Sequence, residues 1–187
     1  MSQGQLNGNQ KITAVALFAL ATTGVTHAAD QGNGKVTFYG SIVNAPCSIA
    51  PGVDDQKIPL GQVSNSDLAN GGEQKAVDFT IDLQNCDDAT KHTVTATFTG
   101  MAGVDGRLGI TGEAKGASIL LRDGSGKKIE LGTPTTAQTL NGNANTLQFT
   151  AALKGDGTKD APVEIGTGAF TAVTNFTLAY QQFTSAR

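Results

Sequence analysis

The side chains able to do chemistry in this 187-residue chain are few: Cys47 and Cys86, His27 and His92, and short acidic runs. A metal site would need three or four Cys, His, Asp or Glu ligands at close spacing. No Cys-x-x-Cys occurs, and His92 is the only histidine left once the leader described below is removed. Asp156 and Asp160 flank a glycine-containing loop whose composition suits weak calcium binding, but a solvated turn is the simpler reading, as it is for Asp54-Asp55 and Asp87-Asp88. No Gly-x-Ser-x-Gly elbow is present to present a nucleophile. Asn175-Phe176-Thr177 is a formal glycosylation sequon, but it lies in the middle of an apolar-periodic stretch and reads as strand. No set of residues supports an enzyme, and none calls for a cofactor or a metal. What remains is the oxidation of two thiols.

Whether those thiols oxidise depends on the compartment. Lys11 precedes the apolar run Ile12–Ala21, and Thr26-His27-Ala28 offers small residues at the −3 and −1 positions of a cleavage site. The run is shorter than the about 20 apolar residues a membrane span requires. Residues 1–28 therefore read as a signal peptide, with an atypical start in that Met1–Gln10 carries no charged side chain. Its removal from 187 residues leaves 159, enough for one domain with a real core. Of 13 Lys and Arg only Lys11 is lost, leaving 12 against 16 Asp and Glu and a net charge of −4. Such mild acidity provides no basic patch for nucleic acid. An even pair of cysteines in an exported chain argues for a Cys47–Cys86 disulfide.

The elements that position these residues repeat with a period of two. Val77, Phe79, Ile81 and Leu83 alternate with Asp78, Thr80, Asp82 and Gln84, ending just before Cys86. Val94, Ala96 and Phe98 repeat the pattern, as do Leu147, Phe149, Ala151 and Leu153. Ile58–Val63 predicts a short strand, Ile119–Leu121 a buried one, and Asp123–Gly126 a turn. Residues 65–75 read as a loop or one helical turn, and Gly100–Gly116 as a long glycine-rich connection. A final strand is predicted over Phe170–Gln181, with Phe176, Leu178 and Tyr180 on one face. Short strands at this spacing, with no helical periodicity lasting three turns, predict an antiparallel β-sandwich of six or seven strands.

The first stretch of the exported chain is anomalous. Over Gly32–Gly40, Val36 and Phe38 share one face with Gly34 and Gly32, while Lys35, Thr37 and Tyr39 take the other. Glycine weakens a strand and marks close backbone approach. Two readings stand: a frayed first strand of an ordinary sandwich, or an extended arm whose two apolar anchors and bare glycine face fit something outside the domain.

This arm, the Asn44–Cys47 segment after it, Leu60-Gly61-Gln62, Leu83 with Asn85-Cys86, and the terminal Gly168–Gln181 together resemble the structural pilins of chaperone–usher fimbriae, nearest to the P-pilus rod subunit. The resemblance spans the whole exported chain. It implies an all-β fold, an incomplete six-stranded immunoglobulin-like sandwich missing its last strand, with an N-terminal donor-strand extension over residues 29–40 and the domain over 41–187. By the same resemblance, Gly32, Gly34, Val36 and Phe38 form the donor strand, and Phe176, Leu178 and Tyr180 border the acceptor groove that the chaperone also uses. The implied partners are identical or homologous subunits in a homopolymer, a periplasmic chaperone and an outer-membrane usher. The implied destination is an extracellular fimbrium reached through the periplasm, where it supports cell adhesion. The chain departs from the pattern at its atypical leader and by running past Tyr180 through Gln182–Arg187, so that either those last residues are foreign or the chaperone anchors the terminus differently. The rival functions are a minor adaptor or tip pilin of the same system, and a sugar-binding adhesin module. The adhesin lacks support, because 159 residues leave no space for a lectin domain and tryptophan is absent.

Overall fold

A computed structural model of the chain describes residues 34–87 and 92–182. The signal peptide expected over residues 1–28, Gly32 of the expected arm and the last five residues lie outside the described residues. The chain divides into two compact units, Met1–Ser41 and Ile42–Arg187.

In the first unit the described residues, 34–41, carry no regular secondary structure, so the strand expected over Gly32–Gly40 is not formed at its described positions, 34–40. A strand needs a hydrogen-bonded partner, and none is supplied to these residues.

The second unit is built from β1 (Ser48–Ile49), a single helical turn α1 (Asn65–Leu68), β2 (Val77–Gln84), β3 (His92–Gly100), β4 (Leu108–Gly109), β5 (Thr111–Gly112), β6 (Ala117–Asp123), β7 (Lys128–Ile129), β8 (Gln138–Thr139), β9 (Asn145–Gly155), β10 (Phe170–Thr171) and β11 (Thr174–Gln182). Every pairing between these strands is antiparallel. One sheet has the order β1-β2-β9-β6-β4, with β7 also on β6; a second has the order β11-β3-β8; β10 and β5 form a separate ribbon.

The alternation read from the sequence sets which side chains meet. Ile81 and Leu83 of β2, Val94, Ala96 and Phe98 of β3, and Leu147, Phe149, Ala151 and Leu153 of β9 are all buried. Phe79 and Phe149 of the first sheet stack 5.4 Å apart, and Phe98 of the second meets Phe149 edge-on at 5.1 Å. Phe176 of β11 reaches Phe98 at 6.3 Å, so four rings from both sheets make one cluster. Aromatic pairs of this kind add about 0.5–1.5 kcal/mol each beyond area burial.

Three expectations change in detail. The glycine-rich connection over Gly100–Gly116 contains β4 and β5. The terminal strand is broken at Ala172-Val173, because β10 pairs with β5 while β11 pairs with β3. The third, over Ile58–Val63, belongs to the site below. Residues 65–75 do form one helical turn, opened by Ser64, whose hydroxyl accepts from Ser66 N. That turn rests on the end of β9, where a Cβ at Gly155 would collide with the Leu68 carbonyl oxygen, so glycine is required there.

Cys47 and Cys86 are bonded, with Cα atoms 4.0 Å apart, and both are buried. The bond ties the chain entering β1 to the chain leaving β2, closing a separation of 39 residues. Constraint of a loop this long contributes roughly 4 kcal/mol in the chain-entropy treatment.

Candidate strand-accepting groove

A cavity of about 1360 Å³ opens into the core of the second unit. That exceeds the roughly 300–1,000 Å³ of ordinary small-molecule pockets, and packed interiors seldom leave voids larger than a water. Its floor is the core itself: Phe79, Ile81, Phe98, Leu121, Ala151 and Leu153 all line it.

One wall is the segment from Val53 to Val63. The strand expected over Ile58–Val63 is absent. Among the described residues, the backbone of 54–63 makes a single hydrogen bond, at the Leu60 carbonyl, which accepts from Gln74 Nε2 at 2.5 Å. The sequence has strand character here, but no neighbouring strand pairs with it. Leu60 and Val63 still pack on the core.

The start of β11, Thr174 to Phe176, also lines the cavity. Among the described residues β11 is an edge strand of its sheet, paired with β3 from Thr174–Gly100 to Gln182–His92 and with no strand on its other side. An unpaired edge presents alternate N–H and C=O groups as a template for another strand. Phe176, Leu178 and Tyr180 occupy its inward positions, half-buried against the core, between exposed Asn175, Thr177 and Ala179. Phe176 lines the cavity directly. Burial pushes the Tyr180 hydroxyl above its ordinary pKa, which keeps it neutral.

In the first unit, Val36 is 75% exposed, Phe38 91% and Tyr39 93%. A Cβ on Gly34 would meet nothing within 4 Å among the described residues.

One functional-looking residue proves structural. Asp156 is neither a solvated turn residue nor a cation ligand: its carboxylate pairs with Arg107 at 3.3 Å and accepts from Ser118 Oγ at 2.6 Å. Arg107 is buried and also donates to the carbonyls of Val104, Lys154 and Gly155. It thereby holds the approach to β4, whose Leu108 lines the cavity, against the end of β9. Among the described residues, no group of three or more Cys, His, Asp or Glu is placed to hold a metal ion.

A two-layer antiparallel sandwich, open to its core beside an unpaired terminal strand, defines the class: an immunoglobulin-like domain lacking one strand. Comparison with known proteins agrees. The family model described as "Fimbrial protein" matches residues 36–181. Fimbria A protein of Serratia marcescens is 49% identical over 173 residues, covering 91% of this chain and 98% of its own. Among solved structures, a chaperone–usher pilus subunit matches with a TM-score of 0.69 and 39% identity, over 81% of this chain and 97% of that one. The P pilus rod subunit PapA matches with a TM-score of 0.63 and 37% identity, over 73% of this chain and 100% of that one. The chain belongs to the fimbrial protein family and is a structural subunit of a fimbrium, an extracellular surface fibre.

Proposed function

We propose that this subunit polymerises head to tail by donor-strand exchange. The arm of one copy, with Gly32, Gly34, Val36 and Phe38 facing inward, fills the groove beside Phe176, Leu178 and Tyr180 of the next. The observation that carries this is the open core: a cavity of about 1360 Å³ next to an unpaired β11 edge. Strand addition of this kind, by chaperones and pilins, is an established mode of peptide recognition. Burying Val36 and Phe38 contributes roughly 1.5–3 kcal/mol each, to which ladder hydrogen bonds add. A head-to-tail contact that does not close on itself generates an open filament.

Before assembly a periplasmic chaperone lends the strand, and an outer-membrane usher carries the subunit to the surface. This reading rests on the similarity to a chaperone–usher pilus and on the liability of an open core in a free monomer. The overall similarity to the P pilus rod subunit favours a rod subunit over a minor adaptor.

The test compares chaperone-bound subunit with fibre length for three variants: deletion of residues 29–35, Gly34→Leu and Phe38→Asp. Normal chaperone complex with arrested fibres is expected from all three. Normal fibres from both the deletion and Gly34→Leu would refute exchange through this segment.

A further inference from the structure

The groove wall over residues 54–63 is attached to the domain through two glutamine side chains. Near its start, Gln56 Nε2 donates to the Thr80 carbonyl of β2 at 2.8 Å and to the Val53 carbonyl at 3.0 Å. Further along, Gln74 Nε2 donates to the Leu60 carbonyl. Among the described residues no other hydrogen bond ties this segment to the domain. Pro59 has no N–H to offer. Gly61 has a φ of 74°, and a Cβ there would meet nothing within 4 Å among the described residues, so the backbone bend, not packing, requires the glycine. The chain is pinned at Leu60, turns at Gly61 and brings Val63 back onto the core.

Gln74 stands on a firm base. Its own N–H donates to the Leu153 carbonyl of β9 at 2.8 Å, and Gly155 N donates to the Gly72 carbonyl at 2.9 Å. Beside it the Glu73 carboxylate pairs with Arg122 of β6 at 3.2 Å and with Lys154 of β9 at 3.4 Å. Lys154 Nζ also donates to the Gly71 carbonyl at 3.1 Å. Residues 71–74 are thus tied to the first sheet, and the Gln74 side chain reaches from there to a segment without a strand partner. Its orientation is fixed, because only the NH2 end of the amide can face a carbonyl. Its Oε1 is buried with no partner among the described residues. A buried acceptor left unpaired is unfavourable, so a fully satisfied place in the core does not account for this residue.

The Leu60 end of the wall matters to whatever enters the groove. Leu60, Gly61, Gln62 and Val63 all line the cavity, whereas Gln74 does not, so Gln74 acts on the groove through the wall. On the donor-strand reading, the arm passes this wall with Gly32, Gly34 and Gly40 as bare positions on its inward face. A wall held at one distance rejects an added methyl, since overpacking forces neighbouring side chains from their rotamers. A wall free to shift yields to it.

We propose that Gln74 is a positioning residue of the groove: by pinning the Leu60 carbonyl it holds the wall at the distance that makes the groove selective for glycine in the arm. This rests on the donor-strand reading above and deepens it. The experiment measures, by fluorescence anisotropy, the binding of synthetic peptides to the full-length oxidised subunit, kept dilute enough to remain monomeric. The peptides carry residues 29–41 of this sequence, unchanged or with Gly32→Ala, Gly34→Ala or Gly40→Ala. The parental subunit should bind the unchanged peptide at least about tenfold more tightly than the least tolerated alanine peptide. Gln74→Met, similar in size but without a donor, should reduce that ratio to about threefold or less while keeping the parental far-UV spectrum. Gln74→Glu, ionised and also unable to donate, decides the matter if Gln74→Met does not fold. A ratio near one in the parental subunit, or an unchanged ratio in the variant, would overturn the proposal. Equal weakening towards every peptide would overturn it as well, making Gln74 a residue of general stability. So would loss of folded subunit from both variants, which would assign Gln74 to the fold alone. Failure of the donor-strand reading shows separately, in the parental subunit, as no binding of the unchanged peptide, and removes this proposal with it.

Discussion

Replacing Asp156 with alanine should cost this domain more than any other substitution of an acidic loop residue. The carboxylate lies 3.3 Å from Arg107 and 2.6 Å from Ser118 Oγ, with side-chain exposures of 6% for Arg107 and 16% for Asp156. Its removal leaves a buried guanidinium without a counter-charge and a buried hydroxyl without its acceptor. Breaking a buried ion pair from one side costs about 3–5 kcal/mol. Arg107 retains its three carbonyl acceptors, which places the expected loss near the lower end, about 3 kcal/mol. With a urea m-value of about 2 kcal/mol/M, the midpoint should fall by about 1.5 M at unchanged slope. The assay is equilibrium unfolding of the oxidised chain by far-UV circular dichroism. Asp156→Asn, which retains an acceptor for Ser118, should fall in between. A midpoint shift for Asp156→Ala below about 0.3 M, equivalent to about 0.6 kcal/mol, would refute the reasoning and return the residue to an ordinary solvated loop.

Other outcomes follow from the same structure. Cys47→Ser should remove roughly 4 kcal/mol, seen as a lower melting temperature and depleted periplasmic subunit, whereas an unchanged melt would show that the bond constrains nothing. For Asp123, burial favours the neutral acid, but hydrogen bonds from Ser125, Thr136 and the Lys127 and Ser125 amides outweigh it and hold the carboxyl below its ordinary value of 3.8. A lowered folded-state pKa means stability that is present above the unfolded value and lost as pH falls through the folded one. Asp123→Asn should therefore flatten the acid limb of stability below about pH 4, and an unchanged limb would exclude Asp123 as its source. Leu178→Asp, on the inward face of β11, should abolish chaperone-bound subunit, and normal levels of that complex would remove Leu178 from the groove.

Most of the sandwich was legible because burial on one face of a strand writes itself as alternation. Val94, Ala96 and Phe98, with Leu147 to Leu153, went inside as their spacing required. The arm and Ile58–Val63 share the same local pattern, yet neither is a strand here. Strand character is a property of the segment, whereas a strand also needs a partner, and among the described residues neither segment has one. The Arg107–Asp156 pair was not legible at all. A lone aspartate in a glycine loop looks solvated until the fold brings a buried arginine from far along the chain to meet it. The short pairings of β4 with β6 and β5 with β10 are likewise set by tertiary register and leave no periodic trace.

The measurement that bears most directly on the account is electron cryomicroscopy of the assembled fibre at side-chain resolution. The account predicts an added strand along the free edge of β11, continuous with residue 41 of the adjacent subunit, with Val36 and Phe38 directed into the groove and Gly34 against its floor. A groove that is empty in the fibre, or filled by a segment of the same chain, would contradict it.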